Sequence, residues 1–487
     1  MTEKKSIFRH PIFHIAVILT SCLSTILLAA DRHPIYQPAA LLPLLYLMIY
    51  LFGLVVIPKS AYHNVGYLLY LALSLIKCVI GPLTLVWGDY VTLFSDLQRE
   101  AVLRAALLLA YEHLVCTAVI ALSLKRVKLV IKTPVTLKLP KIKAVTAVLA
   151  LVGLAVLLWI IEPEIKNNYV TIFDMISSQE MFAGYDYTTS NDLGSTGRMF
   201  TTLFLVLFKS VRILLPFYAI RVLKQRYNNW LSFGLSMVMI LLQFLFISET
   251  VATALVVAFM LLYYMMWAYP KYKRATLISM AVSAVFILFV LSLKFEYMGR
   301  WHGVETVGQY ISQTLQSYVP GVSNTASVFK VYPYDRLITL RDTLLSTIPF
   351  RSTLFPAFAW NQDLNTLYTA TAGLKAQIIA TIAGGWYIFG YALAPLFSAV
   401  FVRISMTSGY RFKQTDNEME RLLYLFMCIQ TMLGVGIYNI QSTLAQWLQV
   451  GVVLWLCVKI TQPTRTIRGG QENAPAEDFS DHLTIHQ

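Results

Sequence analysis

Residues 294–305 read KFEYMGRWHGVE and follow about twenty nearly unbroken apolar residues. They gather Lys294, Arg300, the carboxylates of Glu296 and Glu305, the imidazole of His302, and the rings of Tyr297 and Trp301. Groups of these types hold anions, carry protons and offer flat faces for stacking. A second set is Arg198, Lys209 and Arg212. Their spacings of eleven and three place them on one helical face, with Thr201 and Thr202 near its outer end. No carboxylate shares that stripe. A cationic stripe descending into a membrane suits an anionic ligand, the alternative being contacts of Lys209 and Arg212 with acids or carbonyls on other helices. Lys77 and Glu112 lie at matching depth on consecutive antiparallel segments, which predicts a buried pair. Glu249 is the one charged residue of the short turn in ISETVATA; a solvated tip is the plainer reading and a catalytic carboxylate the alternative.

The elements that must position these groups follow from composition. A mean hydropathy of +0.62, with 57% hydrophobic and 13% charged residues over 487 positions, excludes an ordinary soluble protein. Apolar runs predict an all-α, polytopic membrane protein with twelve spans, at roughly 12–30, 39–57, 65–87, 101–124, 144–161, 198–220, 230–247, 251–268, 275–294, 376–402, 422–438 and 442–460. With the N-terminus inside, cytoplasmic segments hold about 23 of the 39 lysines and arginines and external segments about 10. The densest cluster is KRVKLVIKTPVTLKLPKIK between Leu124 and Ala144. The net charge of +14 is therefore positive-inside topology with both termini cytoplasmic, and not a nucleic-acid footprint. Residues 12–30 read as an uncleaved first span rather than a signal peptide. All five cysteines fall within predicted spans, so neither an external disulfide nor a zinc site is expected. The external segments carry no N-x-S/T acceptor, which points to a bacterial membrane.

The chain reads as one membrane domain over 1–460, followed by a polar tail, 461–487, of disordered composition. Two external segments, about 162–197 and 295–375, are too long to be simple connectors. In the second, Val304, Val307, Ile311, Leu315 and Tyr318 recur at helical spacing, opposite Glu305, Gln309, Gln313 and Gln316. VPGVSN breaks that helix. A second helix, DRLITLRDTLLSTIP, has Leu337, Leu340, Leu344 and Ile348 as its stripe. Both are expected to lay their apolar faces on the membrane surface or over a cavity.

Residues 140–460 resemble the Wzy-type oligosaccharide repeat-unit polymerases of bacterial O-antigen, capsule and exopolysaccharide assembly. The likeness rests on a helical hairpin turning at Ser248-Glu249-Thr250-Val251-Ala252, a span ending in Lys294, and a large external loop through IPFRSTLFPAF at 348–358. A glycine-rich span, IIATIAGGWYIFGYALAPL, completes it. Family members carry Gly and Arg in the hairpin turn, where this chain has Glu249.

The resemblance implies transfer of a growing glycan from undecaprenyl diphosphate to a lipid-linked repeat unit on the external face. It implies no cofactor, metal or nucleotide sugar, and partners such as a chain-length regulator and a flippase of the same pathway. Under that reading the anionic diphosphate falls to arginine and lysine at the outer headgroup level: Arg198, Arg300, Lys294 and Arg351, with one of Arg336 and Arg341, and the deeper Lys209 and Arg212 as further candidates. His302, Glu296, Glu305 or Glu249 would take the proton of the acceptor hydroxyl. Trp301 and Tyr297 would stack on sugar rings or anchor the interface. A lipid-linked oligosaccharide flippase shares the span number and cationic core, but needs little external scaffold and often shows an internal repeat, which this chain lacks. A glycan ligase shares the architecture and a loop histidine.

Overall fold

The computed structural model describes residues 11–30, 33–90, 97–125, 142–162, 169–171, 195–242, 246–248, 251–297, 305–331, 335–355, 363–372 and 378–461. The chain is a helical membrane protein. Its first half forms α1 (Pro11–Ala30), α2 (Gln37–Val56), α3 (Val65–Trp87), α4 (Arg99–Lys125), α5 (Ile142–Ile161), α6 (Ser195–Arg226), α7 (Asn229–Leu241), α8 (Val251–Ala268) and α9 (Lys273–Tyr297). Four short helices follow, α10 (Val307–Tyr318), α11 (Val322–Val328), α12 (Arg336–Leu345) and α13 (Arg351–Leu354). Then come α14 (Leu364–Ala372), α15 (Thr381–Phe389), α16 (Leu396–Gln414), α17 (Glu418–Gly436) and α18 (Ile440–Thr461). Among the described residues α1, α2, α3, α4, α6 and α18 are long and apolar enough to cross a membrane.

Local sequence explains where these helices start. Asn64, Asn228, Asn417 and Asn439 cap α3, α7, α17 and α18 by accepting from the first-turn N–H groups. Thr306 and Gln309 form a reciprocal capping box at α10. Among the described residues three buried cores result, the smallest joining Ala155 and Leu158 of α5 to Phe204 and Leu207 of α6, and the other two larger. Of the larger two, one joins α1–α4 with α11, α15 and α16, the other joins α6–α8 with α18, and α17 contributes side chains to both. Asn64 ties α3 to α16, its Nδ2 donating to Met406 O at 2.9 Å.

Three expectations change. The span expected at 376–402 is not one helix. Gly390 adopts φ +78°, ψ −176°, a conformation open only to glycine, and ends α15; the chain then folds back so closely that Gly385 has no room for a Cβ against Ala394 O. The helix of the seventh expected span, 230–247, ends early, and residues Phe246–Ser248 form a short strand paired antiparallel with Tyr169–Thr171. That ribbon pairs part of the 162–197 segment with the residues that precede Glu249 in sequence.

The third change is the facing of the external-loop helices. In α10 the buried side is Gln309, Ser312, Gln313, Gln316 and Ser317, while Val307 is 71% exposed. The helix runs along the C-terminal half of α3: Gly308 packs on Trp87 O, Ser312 on Gly88, and Gln316 Nε2 donates to Gly81 O at 3.3 Å. In α12, likewise, Thr339, Asp342 and Thr343 are buried and Leu337 is 77% exposed. Backbone carbonyls and helix ends reward an inward polar face, and at membrane level an outward apolar face costs nothing.

The basic loop 126–141, most of the first external segment, and the tail 462–487 lie outside the described residues. So do Glu249, Arg300, Trp301 and His302.

Candidate functional site

Polar side chains from distant segments meet where the second external segment folds onto the α17–α18 junction. α17 ends at Gly436, and Ile437 leaves helical geometry at φ −128°. Asn439 restarts the chain as the cap of α18, and its Nδ2 donates to Asn365 Oδ1 at 3.0 Å. Two residues on, Gln441 Nε2 donates to Ser346 Oγ at 2.6 Å and to Asp363 Oδ1 at 2.8 Å. Asp363, 5% exposed, caps α14 through the N–H groups of Asn365 and Thr366 and accepts from Thr366 Oγ1 at 2.5 Å.

Arginines border this network. Phe350 sits in the left-handed region, at φ 64° and ψ 20°, at a cost of about 1–2 kcal/mol for a bulky residue. The turn brings Arg351 Nη1 within 3.3 Å of Ser346 O, so Arg351 reaches the residue that Gln441 also holds. Arg341 lays Nε and Nη2 on Asp342 Oδ1, both at 2.8 Å. Asp342 is 1% exposed, and its Oδ2 is buried with no hydrogen-bond partner among the described residues. Enclosed by protein, that carboxylate holds Arg341 rather than meeting a ligand. The amides, the Ser346 hydroxyl and Arg351 match a ligand rich in hydroxyl groups and bearing an anion. Arg336 points elsewhere: its Nη1 lies 3.5 Å from where a Cβ at Gly390 would be.

The Lys77–Glu112 pair forms as expected, at 2.7 Å, with both side chains about 95% buried. Ser398 Oγ donates to Glu112 Oε1 at 2.5 Å, and Lys77 donates to Val435 O at 3.0 Å. Lys77 lies in a π-turn, Ile76–Ile80, which re-aims its side chain within α3.

The α6 stripe is partly resolved. Lys209 Nζ donates to Gln449 Oε1 at 3.0 Å, and Gln449 lies in a second π-turn, Trp447–Gly451, so a carbonyl on another helix meets this lysine. Arg212 is 5% exposed, its guanidinium 5.6 Å from the centre of the Phe208 ring. Arg198 lies on the first turn of α6, about 16 Å above Lys209 along the axis.

Lys294, Glu296 and Tyr297 lie on the last turn of α9, whose helix continues three residues past the expected boundary. Glu305 is exposed beside the α10 cap, its N–H donating to Gln309 Oε1 at 2.7 Å. Of the named candidates, the structure brings Arg351 to the network, through Ser346 O. Sequence reasoning missed Ser346, Asp363, Asn365, Asn439 and Gln441. Asn439 and Asp363 carried a readable signal, each standing at a cap position before a helix.

No protein-family model matches the chain, and neither a curated protein nor a solved structure matches it.

Proposed function

We propose that the protein is a bacterial glycosyltransferase, a Wzy-type polymerase that moves a growing glycan from undecaprenyl diphosphate onto a lipid-linked repeat unit at the external face of the inner membrane. The observation that carries this reading is the placement of the polar network. It lies at the Gly436 end of α17, while Arg421, Arg411 and Lys413 lie at or beside the Glu418 end, with Arg421 stacked on Trp267. The two ends are about 27 Å apart at 1.5 Å per residue, close to the thickness of a bilayer core. Taking the basic end as cytoplasmic, from the lysine and arginine asymmetry, puts the network on the outer face, where lipid-linked glycans are joined. A flippase has no need of such an external scaffold.

In the proposed reaction the acceptor hydroxyl attacks the anomeric carbon, the bond from that carbon to the phosphate oxygen breaks, and diphosphate leaves with the electron pair. The hydroxyl proton passes to one of the candidate bases, His302, Glu296, Glu305 or Glu249. Arg351 and Arg341, with Arg198, Arg300 and Lys294, neutralise the departing charge. Sugar hydroxyls bond to Asn365, Asn439 and Gln441.

The test uses purified full-length protein in lipid nanodiscs, or in vesicles for translocation, supplied with lipid-linked repeat unit. A ladder of products supports a polymerase. Transfer to a second acceptor alone means a ligase, and translocation without bond formation means a flippase; either outcome removes the proposal. Within a working assay, Arg198→Ala and Arg300→Ala should each lose roughly 10²–10³ in rate. Near wild-type rates for both would move the diphosphate site to Arg351, Arg341 and the deeper α6 pair.

A further inference from the structure

Between α3, α4 and α17 lies a cavity of about 20 Å³, lined among others by Tyr70, Ser74, Lys77, Glu112, His113 and Val435. Two polar groups there have bonding capacity left over among the described residues. The Tyr70 oxygen lies 2.6 Å from His113 Nδ1, 3.0 Å from His113 O and 3.1 Å from Thr117 Oγ1. Its one proton goes to His113 O, which can only accept, so Nδ1–H donates to Tyr70 and Nε2 of the neutral imidazole is left as an acceptor. That Nε2 is buried with no hydrogen-bond partner among the described residues, in a residue only 5% exposed. Lys77 carries three N–H donors and places two, on Glu112 Oε2 and Val435 O. A polar group left unmet away from water is destabilising.

A cavity needs about 10–15 Å³ to hold one water, so this one has room for one and not for a larger ligand. We propose that it is a binding site for a single water that bridges His113 and Lys77. The water oxygen accepts from the third Lys77 N–H, and its two protons go to His113 Nε2 and to an acceptor on the wall, Glu112 or Ser74. This joins the Tyr70–His113–Thr117 cluster to the Lys77–Glu112–Ser398 cluster, so that α3, α4, α16 and α17 share one network.

The network has a target. Val435 lies in the last turn of α17, four residues before Asn439, and the Lys77 bond to its carbonyl fixes where that helix stops. Lys77 and His113 are thus positioning residues for the Asn439–Gln441 corner, whatever ligand that corner receives.

The experiment is a cryo-EM structure of the full-length protein in lipid nanodiscs, at a resolution where other buried waters are visible. One peak within hydrogen-bond distance of both His113 Nε2 and Lys77 Nζ is expected. Its absence from such a map overturns the proposal, and the wild-type map decides this even if variants fail to fold. In His113→Phe, which removes the ring nitrogen that the water meets, amide exchange over 434–441 should accelerate about tenfold while 418–426 stays unchanged. An unchanged rate over 434–441, or an equal rise along all of α17, would show that the water does not position the corner.

Discussion

Removing one member of the Lys77–Glu112 pair should cost far more than removing both. In Lys77→Met the Glu112 carboxylate stays in the core with Ser398 as its remaining described donor, and Val435 O loses its lysine. An uncompensated buried charge costs about 3–5 kcal/mol. Glu112→Leu leaves the Lys77 cation with Val435 O alone, and a similar loss of about 3–5 kcal/mol is expected. The double variant Lys77→Met/Glu112→Leu carries no charge. It leaves only the Ser398 hydroxyl and the Val435 carbonyl short of partners, for about 1–3 kcal/mol. The two single losses would sum to about 6–10 kcal/mol, so the cycle should show a coupling of several kcal/mol. Reversible unfolding in detergent micelles, followed by helical circular dichroism, measures all four proteins. A double variant as unstable as the sum of the singles, or singles that lose under about 1 kcal/mol, would refute the reasoning.

Four further outcomes follow from particular contacts. Ser312→Leu should destabilise by about 1–3 kcal/mol, because Ser312 is fully buried against Gly88, whereas Val307→Gln should be nearly neutral; thermal unfolding of the two variants checks the facing of α10. Gly409→Ala displaces Asn64, which both caps α3 and bonds to Met406 O, and should cost about 2 kcal/mol, while Gly153→Ala, with open space around it, should gain up to about 1 kcal/mol. Asp363→Ala removes the α14 cap and the acceptor of Gln441, so glycan transfer in the ladder assay should fall at least about tenfold, with Asp363→Asn milder. Lys413, at the basic end of α16 on the expected cytoplasmic side, is pushed down to about 8 from its ordinary 10.5, first by burial and then by Lys273. A lowered lysine favours the neutral form in the fold, so stability should rise from about pH 8 to 10.5 and fall back on acidification, and Lys413→Met should flatten that part of the pH–stability curve.

Much of the candidate site was illegible for a physical reason. Arg341 and Arg351 are legible only through the resemblance, which calls for arginines at the outer headgroup level to meet a diphosphate. Asp342 carries no such signal. Its burial is a property of what α12 packs against. Gln441 and Asn439 meet partners 95 and 74 positions away, Ser346 and Asn365, and no local pattern encodes such a pairing. The Lys77–Glu112 pair was legible because two consecutive helices with a short connection must be antiparallel, which sets the depth of both charges.

The sequence by itself determined that the chain is helical and built for a membrane, where most helices lie, which termini are capped, and which charges need partners. Those properties depend on hydropathy and on side chains a few positions apart. Only the tertiary structure decided that Gly390 divides the tenth apolar stretch, that α10 and α12 turn their polar faces inward, and that the external segment closes on the α17–α18 junction. In water an amphipathic helix has one face that can be buried. At a bilayer both its surroundings and the protein core can be apolar, so periodicity defines two faces without saying which one packs; backbone carbonyls such as Gly81 O, supplied by another helix, settle that choice.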